Sequence, residues 1–143
     1  MVHTGMKTDD ACQQMLVKIN KRLKRYCVMH ISGDSIVVEK DGDPGTTYED
    51  FLADLTQQDG PRYGLIDMKY DQMKQGVGST HKEKVVLVMY NPDTGGVKNR
   101  MLYSSSFGEL KETLNTGHTY QANDMDSLQE QNVIEHISKT DRS

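Results

Sequence analysis

The residues that could do chemistry in this chain are histidines, cysteines and two glycine-bearing loops, and none has the spacing of a catalytic site. The five histidines are scattered and no two are spaced i, i+4, so no helix face offers a pair of metal ligands. The loops at 76–80 and 93–98 lack the Gly-x-x-x-x-Gly-Lys-Ser/Thr order that cradles a nucleotide phosphate. Cys12 and Cys27 fall within apolar patterns, which is typical of core thiols. We therefore predict that the chain is not an enzyme and holds no metal or cofactor.

Length and composition predict a single domain outside membranes. The chain has 143 residues, of which 35% are apolar, and a domain of this size buries about 68–70% of its unfolded surface. No run approaches the roughly 18 apolar residues of a membrane span, and the N-terminus lacks a secretory signal. The pI near 5.7 and the lack of aromatic residues among the basic ones argue against a nucleic-acid partner. We expect a monomer that is not membrane-inserted and is cytoplasmic, with the nucleus as a second location.

Two cations in the middle of the chain are unusually placed. Lys98 and Arg100 lie in the first two turns of a predicted helix, where the macrodipole disfavours cations by about 0.3–1 kcal/mol each. Natural sequences tend to break local rules at functional sites. Because a helix end projects, both side chains could reach outward and hold an acidic protein partner. A solvated helix face is the alternative that these residues alone leave open.

Apolar periodicity predicts four helices. The first lies in the N-terminal part of the chain, and the second follows Thr46 or Thr47. The third runs from 97 to 115, and its apolar stripe consists of Val97, Met101, Leu102, Phe107, Leu110 and Leu114. The last is capped by Asp124 or Asp126, and its apolar positions are Met125, Leu128, Val133, Ile134 and Ile137.

Runs rich in Val, Ile and Tyr predict five strands between these helices. They are residues 26–31, 35–40, 62–70, 84–90 and 118–122. The polar, glycine-bearing segment from 71 to 81 predicts a projecting hairpin end. The helices alternate with the strands along the chain, and the central strands are expected to be covered on both faces. This pattern indicates an α/β domain of three layers, in which a mixed sheet lies between helices.

Two short tails flank the predicted domain. Residues 1–7 show no apolar periodicity, and the first helix is expected to follow Thr8 as its N-cap. Residues 139–143 are expected to fray at the other end. The domain is therefore predicted to cover residues 8–138.

Residues 90–106 carry a family resemblance. They read Tyr-Asn-Pro-Asp-Thr-Gly-Gly-Val-Lys-Asn-Arg-Met-Leu-Tyr-Ser-Ser-Ser. This segment resembles the signature of the actin-depolymerising-factor/cofilin family, an aromatic residue followed by x-Pro-Asp-Thr-Ala-x-Val-Lys/Arg-x-Lys/Arg-Met-x-Tyr-Ala/Ser-Ser-Ser. Further similarity covers nearly the whole chain, at Thr4-Gly5-Met6, Arg25-Tyr26, 36–40 and 62–67. The resemblance implies the ADF-homology fold, a mixed five-stranded sheet sandwiched between helices, which agrees with the predicted elements.

The same resemblance implies a function. Members bind actin monomers and filament sides, prefer ADP-bound actin, and sever and depolymerise filaments without catalysing a reaction. By position in the family pattern, the residues implied to contact both monomers and filaments are Thr4, Gly5, Met6, Lys98, Arg100, Met101 and Asp124. Those implied to contact filaments only are Lys82, Lys84, Glu135 and Lys139.

Regulation is also implied, and Thr4 and Gly96 are among the positions that depart from the family pattern. Thr4 stands where many members carry a regulatory phosphoserine, and a phosphate there would add about −1.5 to −2 charge beside an acidic partner. Gly96 stands where Pro or another residue is usual, which loosens the helix start. A basic cluster could bind phosphoinositide head groups in competition with actin. It consists of Lys21, Arg22, Lys24, Arg25, Lys98 and Arg100.

Relatives on the same fold are the competing interpretations. A coactosin-like protein would bind filament sides without binding monomers, and a protein resembling glia maturation factor would act on a branching complex as a debranching factor. A phosphoinositide-binding adaptor is the alternative from another class. The Thr4-Gly5-Met6 start and the paired Lys98 and Arg100 favour the cofilin interpretation.

Overall fold

A computed structural model describes residues 6–74, 76 and 78–140 of the chain. Six strands and four helices occur in this part of the chain. The strands are β1 (Lys7–Thr8), β2 (Tyr26–Ser32), β3 (Ser35–Gly42), β4 (Arg62–Lys74), β5 (Gly78–Tyr90) and β6 (Thr119–Ala122). The helices are α1 (Asp10–Asn20), α2 (Tyr48–Leu55), α3 (Val97–Thr113) and α4 (Glu130–Thr140). Within these described residues, none of the helices combines the length and the apolar character needed to cross a bilayer.

The six strands form one mixed sheet in the order β1-β3-β2-β4-β5-β6. The two outermost pairs, β1 with β3 and β5 with β6, are parallel, and the inner pairs are antiparallel. The predicted mixed sheet is confirmed, but the predicted number of five strands is wrong. The extra strand β1 is held because Lys7 N donates to Asp34 O over 2.8 Å and Asp9 N donates to Ile36 O over 2.9 Å. A strand of two residues is too short to show the alternation of apolar and polar residues that predicts a strand. The sequence pattern therefore places Lys7 in the N-terminal tail.

Helices cover both faces of the sheet, as the three-layer prediction requires. Helices α1 and α3 pack on one face, which we call the α1/α3 face, and α2 and α4 pack on the other, the α2/α4 face. Along β5, side chains alternate between the two, so Leu87 and Met89 pack under α3 while Val86 and Val88 pack under α2 and α4. The strand that precedes the 90–106 signature is therefore buried on both faces.

The β4–β5 hairpin is longer than the apolar pattern predicted. Backbone pairing continues from Arg62 opposite Tyr90 as far as Lys74 opposite Gly78, whereas the sequence predicted strands of 62–70 and 84–90. Main-chain hydrogen bonds require no apolar side chain, so a polar sequence can continue a ladder that an apolar core has started. As a result Lys82 lies inside β5, as the predicted strand already had Lys84.

Three helix boundaries differ from the prediction, and one is confirmed. Thr8 belongs to β1, so Asp9 is the N-cap of α1 and Thr8 is not. Helix α3 ends at Thr113, two residues before the predicted end at 115. Helix α4 begins at Glu130, because residues 124–129 form turns. The Thr47 cap of α2 is confirmed, and Asp50 completes a capping box with it.

Both cysteines are buried under the helices of the α1/α3 face. Burial raises the pKa of the Cys12 thiol to about 12 and also raises that of Cys27. The thiolate is the form that reacts with a thiol reagent such as Ellman's reagent. We therefore expect less than about a tenth of the thiols in the native chain to be modified within minutes at pH 8. Absorbance before and after denaturation in guanidinium measures this. Stoichiometric reaction of the native chain would contradict the buried placement.

Candidate functional site

A short loop turns the chain from the end of β5 into α3. The loop comprises residues 91–96, and within it Gly95 N donates to Pro92 O over 3.0 Å. Gly96 is the N-cap, with φ −65° and ψ 144°, and it has no side chain to accept a hydrogen bond from the first turn. The first turn of α3 therefore begins without a side-chain cap, and the following residues are presented at the end of the sheet.

The start of α3 exposes apolar surface. Val97 is 72% exposed and Met101 is 63% exposed, so these two members of the predicted apolar stripe lie on the surface of the helix. The core stripe of the helix consists instead of Tyr103, Phe107, Leu110 and Leu114. Lys98 is exposed beside Val97 and Met101. A recess of about 220 Å³ at this helix start is lined by Asn91, Val97, Arg100, Met101 and Ser104. Neighbouring exposed apolar side chains, with a cation beside them, make this helix start a candidate protein-binding surface.

Arg100 does not extend outward as Lys98 does. Its Nη2 lies 3.0 Å from Asp93 Oδ1, and its side chain is only 34% exposed. Arg100 is therefore partly exposed and paired with Asp93, a contact that the expectation of two outward-reaching cations did not include. Asp93 belongs to the loop and Arg100 to the helix, and the two side chains come together only when the turn between them has formed. The sequence pattern alone therefore did not predict this pair.

A second chain segment is brought to the same end of the sheet. Asn91 N donates to Ala122 O over 2.8 Å and Asp93 N donates to Asn123 O over 3.3 Å, so residues 124 and 125 follow directly beside the loop. Asp124 is exposed and its Oδ1 accepts from Ser127 N over 2.8 Å, which lowers the pKa of its carboxyl group. Met125, predicted as an apolar position of the last helix, lies in a turn before that helix and is 46% exposed.

The N-terminal residues of the predicted site are only partly described. Thr4 and Gly5 lie outside the described residues. Met6 is half-buried and packs against the core under the α1/α3 face, which includes Tyr103 of α3. The Tyr103 hydroxyl also accepts from Ile31 N over 2.9 Å. These contacts place the point where the N-terminal residues enter the domain on the same face as α3.

The predicted filament-contact residues lie on the other face. Lys82 pairs with Tyr70 and Lys84 with Met68, and both partners are buried in the core under the α2/α4 face. Cross-strand partners project on the same side of a sheet, so the two lysines continue the side that α4 covers. Glu135 and Lys139 are exposed on that helix, which includes Lys139 although it was assigned to the frayed tail.

Most of the basic run at 21–25 is engaged in intramolecular contacts. Lys24 Nζ lies 3.0 Å from Asp41 Oδ1 and 2.8 Å from Asp43 Oδ1, and these contacts raise the pKa of Lys24. Arg25 is half-buried and donates to Thr46 O over 2.8 Å and to Asp67 O over 3.2 Å. Arg22 pairs with Glu83, which leaves Lys21 as the cation of this run with neither an ion pair nor a side-chain hydrogen bond among the described residues.

Solved structures define the class of this domain. The chain superposes on the crystal structure of Streptomyces griseoflavus cofilin with a TM-score of 0.80 at 27% identity, over 94% of this chain and 98% of that one. It superposes on human coactosin-like protein with a TM-score of 0.77 at 14% identity, over 100% of this chain and 95% of that one. The fold is therefore that of an ADF-homology domain.

Sequence comparison assigns the family within that class. The family model described as cofilin/tropomyosin-type actin-binding protein matches residues 5–138. Actin-depolymerizing factor 2, isoform c, of Caenorhabditis elegans is 32% identical over 97% of this chain and 98% of its own length. The chain belongs to the cofilin/tropomyosin-type actin-binding protein family, so the resemblance predicted from residues 90–106 is confirmed.

The backbone at Gly96 suits proline. Its φ of −65° is the value that a pyrrolidine ring fixes, and a Cβ at this position would meet nothing within 4 Å. We expect Gly96→Pro to stabilise the fold by about 0.4–1 kcal/mol, because it removes conformations from the unfolded chain. Thermal unfolding should then show a midpoint raised by a few degrees, and actin should bind at least as tightly. A lowered midpoint would show that the loop needs the freedom of glycine.

Proposed function

We propose that this chain binds actin monomers and the sides of actin filaments, prefers ADP-actin, and severs and depolymerises filaments. Membership of the family supports actin as the partner, and the name of the C. elegans relative supports depolymerisation. The observation that carries the proposal is the start of α3, where the exposed side chains of Val97, Lys98 and Met101 form one projecting surface. The chain acts as a monomer and by binding, without catalysing a covalent reaction.

The proposed monomer surface surrounds that helix start. Lys98 supplies a positive charge for an acidic actin surface, and Met101 supplies apolar area that can adapt to the partner. Asp124 lies at the neighbouring chain segment, which the loop before α3 contacts through backbone hydrogen bonds. The remaining members of this surface are Thr4, Gly5, Met6 and Arg100. A phosphate on Thr4 would bring negative charge toward the same acidic partner and weaken binding.

The proposed filament surface lies at the far end of β5. Tyr90 lies eight residues after Lys82 along the extended strand, or about 27 Å away at the rise of an antiparallel strand. Lys82 and Lys84 therefore reach a different actin subunit from the one that α3 holds, together with Glu135 and Lys139 of α4. A ligand shifts an equilibrium by its differential affinity for the two states. If the two contacts fit a filament of altered twist, binding favours that twist, and filaments break at the boundaries of decorated segments.

Microscopy of fluorescent actin filaments, together with a monomer titration, tests this proposal. We expect filaments to fragment after addition of the chain and monomeric ADP-actin to be bound more tightly than ATP-actin. Filament binding without monomer binding would favour the coactosin-like function instead. Loss of branches without severing would favour the function of a debranching factor. Human coactosin-like protein shares the fold at 14% identity, so the fold alone does not separate these functions.

Phosphoinositide head groups are a second proposed ligand of the basic cluster. The ion pairs limit this role, because a head group at Lys24 has to displace Asp41 and Asp43. Lys21 and Lys98 are exposed cations of the cluster without such competition among the described residues. Co-sedimentation with vesicles that contain anionic lipid tests the proposal, and equal binding to neutral vesicles would contradict it.

We place the protein with the actin cytoskeleton of the cytoplasm, and with nuclear actin as a second location.

A further inference from the structure

Arg22 has a strained backbone conformation at the end of α1. Its φ is 61°, and no other non-glycine residue in the described part of the chain has a positive φ. The turn that it forms closes the helix, since Leu23 N donates to Lys18 O over 2.8 Å and Arg22 N donates to Ile19 O over 3.0 Å. Glycine is the usual residue at this place, because a side chain is crowded by the backbone in the left-handed region. Strained positions cluster at functional sites, so the contacts of the arginine side chain are informative.

The side chain of Arg22 reaches the β4–β5 hairpin. Its Nη2 pairs with Oε2 of Glu83, whose side chain is only 20% exposed. His81 Nε2 lies 3.5 Å from Glu83 Oε1, and His81 Nδ1 lies 3.2 Å from Asp71 Oδ1 on the opposite strand. Through Glu83, the end of α1 is therefore linked to side chains on both strands of the hairpin.

The part of the hairpin that Arg22 contacts extends beyond the rest of the sheet. Strand β4 pairs with β2 as far as Ile66, and β5 begins to pair with β6 at Leu87. Between these points residues 67–86 pair with one another as a two-stranded ribbon. Such a ribbon is marginally stable by itself and twists more than a wide sheet. Contacts from the helices therefore determine the angle at which it projects.

The ribbon is held from both sides at the level of two lysines. Lys82 and Lys84 project on the side where Tyr70 and Met68, their cross-strand partners, pack in the core under the α2/α4 face. Glu83 lies between the two lysines and projects on the opposite side, where Arg22 pairs with it. Because the three residues are consecutive in one strand, a change of twist that moves Glu83 also moves both lysines.

We propose that Arg22 is a positioning residue for filament binding, which acts through Glu83 to fix the angle of the hairpin and so the place of Lys82 and Lys84. The inference rests on the proposed function, in which these lysines contact a second actin subunit. The filament fixes the position of that subunit, so a ribbon that is already oriented loses less conformational freedom on binding. An actin monomer lacks the second subunit, so the ion pair has no effect on monomer affinity.

Removal of the carboxylate separates positioning from direct contact. The variants are Arg22→Gln, Glu83→Gln and the double, each measured by co-sedimentation with filaments and by titration of actin monomers. We expect each single change to weaken filament binding about three- to five-fold, the upper end for an exposed ion pair. The double should be no weaker than the weaker single, because both changes remove one contact. Monomer affinity should stay within about two-fold of the unchanged chain.

Direct contact of Arg22 with the filament predicts the opposite result for Glu83→Gln. That change would release the guanidinium and remove a negative charge beside Lys82 and Lys84. An acidic filament surface would then be bound as tightly as before or more tightly, and the inference would be overturned. A loss of monomer affinity equal to the loss of filament affinity would overturn it as well.

Two further variants separate positioning from general effects on the fold. Arg22→Gly removes the left-handed strain, so its midpoint of thermal unfolding should be no lower than that of the unchanged chain, while filament binding should fall as in Arg22→Gln. Filament binding equal to that of the unchanged chain would overturn the inference. Lys40→Gln is the matched control, because it breaks the contact of Lys40 Nζ with Asp54 Oδ1 at 3.6 Å between β3 and α2, and both affinities should stay within about two-fold.

Failure of the inference is distinguishable from failure of the proposed function. If the unchanged chain does not sediment with filaments, the proposed function fails. If it does, and the Arg22 and Glu83 variants sediment equally well, only the positioning role is removed.

Discussion

Replacement of Lys98 and Met101 together by alanine should abolish binding to actin monomers and filaments alike. Both side chains are exposed on the first turns of α3, and together they supply the charge and the apolar area of the proposed monomer surface. Central contact residues commonly cost 2 kcal/mol or more each when truncated, so we expect a loss of at least about 30-fold. Titration of fluorescent monomers and co-sedimentation with filaments measure the two affinities.

The control for this double variant is a matched pair on another helix. Val17 is 49% exposed and Lys18 is exposed on α1, so Val17→Ala/Lys18→Ala removes the same kinds of group from a surface that is not assigned to actin. Both double variants should unfold within about 0.5 kcal/mol of the unchanged chain, because exposed positions are replaced. Equal loss of binding in the two variants would show that α3 has no special role.

Replacement of Lys82 and Lys84 by alanine should weaken filament binding and spare monomer binding. The two lysines lie on the α2/α4 face of β5, and about 27 Å of strand for Lys82 and about 20 Å for Lys84 separate them from the end that leads into α3. A second actin subunit is present only in the filament, so a contact made there cannot contribute to monomer affinity. We expect filament affinity to fall about ten-fold or more, as for the loss of more than 1 kcal/mol, and severing to stop. Co-sedimentation and monomer titration of the same preparation measure both.

Lys69 provides the matched control in the same hairpin. It is exposed on β4 and pairs with Glu83 in the sheet register, so it projects from the α1/α3 face. Lys69→Ala should leave both affinities within about two-fold of the unchanged chain, since mutation of a charge outside an interface has a small effect. If loss of Lys82 and Lys84 weakens monomer binding as much as filament binding, the division into two surfaces is wrong.

The exposed stripe at the start of α3 could have been separated from the core stripe by its angle. Residues in a helix advance by about 100° each, so Met101 lies about 200° from Tyr103, which is buried. Val97 and Met101 are one turn apart and share a side, but that side does not contain Phe107. A list of apolar positions at helical spacing does not by itself distinguish these two sides of the helix. The family signature, which is local in sequence, did not depend on the helix geometry and was confirmed.

The contacts that fix the charges of the site could not be predicted, because they join residues distant in the chain. Lys24 meets Asp41 and Asp43 only because β2 and β3 fold back on one another. Likewise, Arg100 meets Asp93 only after the loop has turned. Periodicity locates helices and strands but contains no information about which side chains face one another across a turn or a sheet. The fold class and the family could therefore be predicted, whereas the state of each cation could not.

Electron cryomicroscopy of ADP-actin filaments decorated with this chain tests the two-surface account most directly. The account predicts that Val97, Lys98 and Met101 at the start of α3 contact one actin subunit, and that Lys82 and Lys84 with the exposed side of α4 contact the adjacent subunit along the filament. The twist of decorated segments should differ from that of bare filaments. A map in which the β4–β5 hairpin and α4 face solvent, or in which α3 lies away from actin, would contradict it.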